Sequence, residues 1–108
     1  MLPSGLQGMV MNQVKKMQQQ IVKVQDDLDK ERVEGSSGGG MVTTLFSGMG
    51  DLLEVKISPD VVDPNELEML QDLVVTAVRD GMKRAQDLHG EKMAEVTGGL
   101  LIPGLFGS

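Results

Sequence analysis

Apolar residues stand at Val10, Val14, Met17, Ile21, Val24 and Leu28, at spacings of 4, 3, 4, 3 and 4. Such a heptad stripe belongs to a helix that packs along another helix. It predicts a first helix over residues 6–31, with Gln, Lys and Asp on the remaining faces. At 1.5 Å per residue that helix is about 40 Å long. In a chain of 108 residues, part of it has to project from the body. A second long helix is predicted over residues 65–96. Asp63 or Asn65 supplies its cap, and Pro64 suits its first turn. Its apolar or small-residue face is Leu67, Leu70, Val74, Ala77, Gly81, Ala85 and Leu88. Glycine inside a helix costs about 1 kcal/mol relative to alanine. Gly81 therefore implies close packing, and Gly90 a bend or early fraying. Gly98, Gly99 and Pro103 are expected to end the helix.

Three short strands are expected between the helices: residues 32–36, the weakest, then 41–47 and 53–58. In the last, Leu53, Val55 and Ile57 alternate with Glu54, Lys56 and Ser58, which predicts one buried face. Residues 35–40, GSSGGG, raise the question of a phosphate-binding loop. Gly35 and Gly40 have the gap of a Walker motif, but Met41 and Val42 follow where Lys and Ser/Thr are needed. The pattern G-x-G-x-x-G fails as well, because Thr43 follows Gly38 and Gly40. A domain linker is not expected, since neither flank builds a separate core. A hairpin turn with positive φ angles is the reading. The predicted fold is α+β, in the order α-β-β-β-α, as a single domain over residues 1–108. Residues 97–108, apolar but rich in glycine, are expected to be a flexible tail.

The core of one copy is expected to be thin. Phe46 and Phe106 are the only aromatic residues, and nine Met are present. Oligomerisation is one remedy for a small core. Cys is absent, which fits a reducing compartment. No secretory signal and no membrane span are expected. A net charge of −6 opposes non-specific attraction to nucleic acid, so DNA binding would need local basic patches.

No residue set points to catalysis or to a cofactor. His89 is the single histidine and is expected to be exposed. The acids at Asp60, Asp63, Glu66 and Glu68 lack the spacing of a calcium loop. Asp26 with Lys30, and Asp80 with Arg84, are candidate i,i+4 ion pairs. Lys16, Lys23 and Lys30 recur every seven residues, with Lys15 beside the first and Arg32 after the last. Arg79, Lys83 and Arg84 cluster on the second helix. These eight are the candidate DNA-binding residues, chosen on charge as phosphate contacts on projecting helices. They also read as coiled-coil flanks pairing with neighbouring acids, and spacing alone favours that version. No aromatic residues interleave with the lysines, so any nucleic-acid contact is expected to be with backbone and shape, with little base reading.

The segments MVMNQVKKMQQQIVKVQDDL, VEGSSGGGMVTT, VKISPDVVD and MLQDLVVTAVRDGMKRAQDLHGEKMAEVTGGLLIPG, in this order, resemble the YbaB/EbfC nucleoid-associated proteins of bacteria. The resemblance implies a homodimer formed through the sheets, with the long helices projecting like the arms of tweezers. It implies duplex DNA as partner, with modest sequence preference, and a place in the cytoplasm at the nucleoid. It implies no membrane and no small-molecule substrate. The chain departs from the family pattern at Asn12, where a basic residue is common, at Gly81, where alanine is usual, and at Arg79, where asparagine is common. A prefoldin-like holdase, gripping clients between helical arms, is the alternative.

Overall fold

The computed structural model describes residues 4–97. Helix α1 (Ser4–Lys30) leads into strands β1 (Arg32–Ser37), β2 (Val42–Ser47) and β3 (Leu52–Ile57). Helix α2 (Leu67–Thr97) follows. The sheet is antiparallel in the order β1-β2-β3. The predicted element order is therefore present. The fold measures 73 × 28 × 18 Å, so the helices do project.

Glycine makes the β1–β2 hairpin. Gly38, Gly39 and Gly40 adopt φ of 59°, 67° and 94°, a region that side chains with a Cβ avoid. Before α2, the Asp63 side chain accepts from Asn65 N at 2.9 Å. That cap opens a 3-10 turn at Pro64–Glu66, and α2 itself starts at Leu67.

α2 crosses the sheet over β1 and β2. Of its predicted face, Ala77, Gly81 and Ala85 are buried, Leu70, Val74 and Leu88 are half-buried, and Leu67 is exposed. Gly81 allows close approach to the sheet rather than to another helix: a Cβ there would meet the Phe46 ring at 2.6 Å. Thr44 Oγ1 donates to Ala77 O at 2.8 Å, so the small-residue seam is also hydrogen-bonded. The fully buried apolar set among the described residues is Leu28, Val42, Phe46, Ala77 and Ala85, a thin core as expected.

Three expectations are corrected here. β3 has no buried face, because α2 lies over β1 and β2 and leaves the third strand bare. The heptad stripe of α1 is used only near its C-terminal end. Leu28 is buried and Met17, Ile21 and Val24 are half-buried, while Val10 and Val14 are exposed. Gly90 neither bends nor frays α2 enough to interrupt it, since i→i−4 pairing continues to Thr97. The expected helix end at Gly98–Gly99 and the tail lie outside the described residues.

Candidate nucleic-acid interface

α1 runs toward the sheet and α2 runs away from it, so the two meet as an antiparallel pair. Val24 and Leu28 share a cleft with Lys92 and Glu95. Gln20, Lys23 and Val24 border Glu95 and Val96 in the next. The base of this arm is anchored at the β2–β3 turn. Gly48 N donates to Leu28 O at 2.9 Å and to Glu31 O at 3.2 Å. The remaining length of α1 extends past Val96, and every residue from Gly8 to Lys16 is exposed.

The structure divides the eight candidate basic residues into three groups. Lys15, Lys16 and Lys23 lie on the arm, exposed and without ion pairs. At 100° per residue, Lys16 and Lys23 sit roughly 120–140° round α1 from the centre of the apolar stripe. Lys23 borders the cleft that holds Glu95, yet neither lysine makes an ion pair, so the coiled-coil pairing that spacing allowed does not form.

Lys30 and Arg32 stand at the arm's root. Arg32 donates to Asp29 O at 2.8 Å and to Glu31 O at 2.9 Å, closing the C-terminal end of α1. The expected pair between Asp26 and Lys30 is absent. Both side chains are exposed, and such pairs gain little.

Arg79, Lys83 and Arg84 lie over the sheet near the middle of α2, and not on a projecting arm as expected. α2 turns Ala77, Gly81 and Ala85 downward, which sends Arg79 and Lys83 to its outer side. Arg84 pairs with Asp80 at 3.2 Å, the one ion pair among the described residues. Asp80 also accepts from Ser36 N at 2.9 Å, covering a backbone donor on the outer edge of β1. That backbone hydrogen bond, and then Arg84, hold the Asp80 carboxyl below the usual aspartate range. A carboxyl depressed on folding stabilises the fold above its unfolded value, 3.8, and loses that contribution as pH falls through the lowered folded value. Asp80→Asn is therefore expected to flatten the acid limb of a melting-temperature profile below pH 3.8. Parallel limbs for the two proteins would show that Asp80 carries no such linkage.

The sequence reading passed over one signal. All sixteen acidic residues lie at Asp26 or beyond it, whereas residues 4–25 carry Lys15, Lys16 and Lys23 and no acid. A chain of net charge −6 thus presents a cationic, acid-free stretch of α1. Counting charge along the helix, rather than over the chain, would have found it. His89 is half-buried beside Gly48 and Met49 and is not exposed as expected, because α2 passes over the β2–β3 turn there. Among the described residues no cluster of His, Asp or Glu is arranged to hold a metal ion, and no helix is long and apolar enough to cross a membrane.

The sequence profile of the YbaB/EbfC DNA-binding family matches residues 4–100. The chain belongs to that family. A protein of Saccharopolyspora erythraea called a nucleoid-associated protein is 49% identical, over 93% of this chain and 88% of its own. One of the same description from Alkaliphilus metalliredigens is 45% identical, over 90% and 85%. A crystal structure of an uncharacterised Helicobacter pylori protein superposes with a TM-score of 0.67 at 21% identity, covering 84% of this chain and 92% of that one. That likeness is one of fold: helix, three antiparallel strands and a long helix form a YbaB/EbfC domain. The family is named for binding DNA and not for a reaction.

Proposed function

We propose that this YbaB/EbfC protein is a homodimeric nucleoid-associated protein that binds duplex DNA with little sequence preference through α1. The observation that carries the reading is the acid-free stretch of α1 over residues 4–25, whose Lys15, Lys16 and Lys23 are exposed and without ion pairs. Unneutralised lysines on a projecting helix release counterions from DNA, which gives affinity without base reading. The acidic body opposes close approach elsewhere, so contact is confined to the arms. Lys30, Arg32, Arg79, Lys83 and Arg84 are auxiliary contacts in this reading, with Arg32 and Arg84 already committed to the fold. The names of the relatives support a place at the nucleoid, and a role in nucleoid organisation and gene regulation is part of the proposal. No catalysis, cofactor, membrane or small-molecule substrate enters it. A gel-shift titration at two ionic strengths tests it, and binding that is absent at low salt, or indifferent to salt, rejects it.

The dimer rests on the bare flank of the sheet. Val55 lies opposite Thr44 and Ile57 opposite Val42, so both share the α2 side of the sheet, yet they remain exposed. Leu52, and Val75 and Met82 on α2, are also exposed. An edge strand with such a surface is an association site. A second copy covering it also supplies the core that one chain lacks. Sedimentation at micromolar concentration is expected to give twice the 11.6 kDa chain mass. Val55→Asp with Ile57→Asp is expected to reduce it to a single chain mass. A wild-type monomer at that concentration contradicts the assembly.

A second reading draws on Met9, Val10, Met11 and Val14, exposed along the arm. Flexible Met-bearing surfaces adapt to varied partners, as a prefoldin-like holdase requires. Suppressed aggregation of a model client, without a DNA shift, would favour it.

A further inference from the structure

Asn12, Lys16, Gln19 and Lys23 succeed one another at spacings of 4, 3 and 4. They form one row along α1, on the side turned away from the apolar stripe. Asn12 and Gln19 are exposed, and neither amide hydrogen-bonds within the chain. At 100° per residue the two amides occupy the crest of this face, roughly 20° apart. Lys15 lies on one shoulder, and Lys16 and Lys23 lie on the other. The fold gives the lysines and amides no structural task.

The face that α1 presents is decisive. Where α1 runs beside α2, from Met17 to Leu28, the second helix packs on the apolar side of α1, behind the crest of amides, and leaves that crest open to a major groove about 12 Å wide. Beyond that pairing, α1 is a single helix among the described residues, about 10–12 Å across. Gln19 stands where α2 reaches α1, but on the side facing away from it.

We propose that α1 enters the major groove with Asn12 and Gln19 toward the base edges, and with Lys15 on one shoulder and Lys16 and Lys23 on the other meeting the phosphates of the two strands. The proposal deepens the DNA-binding reading and rests on it. A carboxamide offers one donor and one acceptor side by side, which match N7 and N6 of adenine. Seven residues of helix rise about 10.5 Å, and three base steps rise about 10.2 Å. Each arm therefore favours two A·T pairs three steps apart, a preference laid over backbone affinity.

The test is selection from a randomised duplex pool by the full-length protein, followed by titration of the enriched duplex and a scrambled one at two salt concentrations. The wild type is expected to enrich A·T at two positions three steps apart, each worth about tenfold in affinity. Asn12→Ala with Gln19→Ala is expected to abolish the enrichment while leaving affinity for the scrambled duplex, and its salt dependence, unchanged. Alanine suits an exposed helix, and far-UV circular dichroism checks that the variant folds. Lys16→Ala with Lys23→Ala is expected to do the reverse, weakening both duplexes equally. Salt-dependent binding with no enrichment overturns this inference and leaves the DNA-binding reading standing. Enrichment that survives in the amide variant overturns it too. Absence of salt-dependent binding removes both.

Discussion

Gly35→Ala is expected to lower the stability of the fold by about 3 kcal/mol or more, the upper end of overpacking costs. For a domain near this size, that is a fall of ~12–24 °C in melting temperature. A Cβ on Gly35 would point into the backbone of α2, against Gly81 N and, at 2.6 Å, Ala77 O. Side chains yield to an added methyl group, but here the obstacle is main chain on a helix. α2 would have to lift from β1. That movement would loosen the Thr44 bond to Ala77 and the Ser36 bond to Asp80 together. Gly8 supplies the control. Nothing lies within 4 Å of a Cβ at that position on exposed α1. Gly8→Ala is expected to be neutral or to stabilise by up to about 1 kcal/mol through helix propensity. Thermal melts of the two variants decide the matter. A Gly35→Ala melting point within two or three degrees of wild type would mean that the seam between α2 and β1 is looser than its geometry.

Lys15→Ala, Lys16→Ala and Lys23→Ala together are expected to weaken binding to every duplex sequence by more than about tenfold at moderate salt. Each phosphate contact contributes about 0.9 to the slope of log affinity against log salt, so three lysines lower it by about 2.7 per engaged arm. The whole chain carries −6, and loss of these charges leaves α1 without cations before Lys30. The fold is expected to be untouched, since all three side chains are exposed and none makes an ion pair. Arg79→Ala with Lys83→Ala, on the outer side of α2, separates the arm from the body. An equal loss there would mean that DNA lies along α2. An unchanged slope in the triple variant would clear α1 of the role proposed for it.

Much of this fold is legible in local chemistry. The 4-3-4 spacing of apolar residues announces α1, and the GSSGGG stretch announces a hairpin with positive φ. Asp63 with Pro64 marks the entry to α2. The ion pair of Asp80 with Arg84 follows from helical spacing alone. Each signal is carried by neighbours within a few residues, and the backbone responds to them wherever the segment sits. The acid-free run before Asp26 is equally local, and it is hidden only when charge is summed over the chain.

The path of α2 is another matter. Val55 and Ile57 carry the alternation of a strand with one buried face, and that pattern holds no record of which body covers it. Tertiary structure sends α2 over β1 and β2, where Gly35, Thr44 and Gly81 admit it, and leaves β3 bare. The same path places Arg79 and Lys83 above the sheet and limits the α1–α2 seam to the stretch from Met17 to Leu28. The sequence by itself determined the elements, their order and the turns between them, because periodicity and backbone preference act within one segment. Only the tertiary structure decided which apolar faces are covered and which lysines stand free, because burial and charge pairing depend on segments that meet across the whole chain.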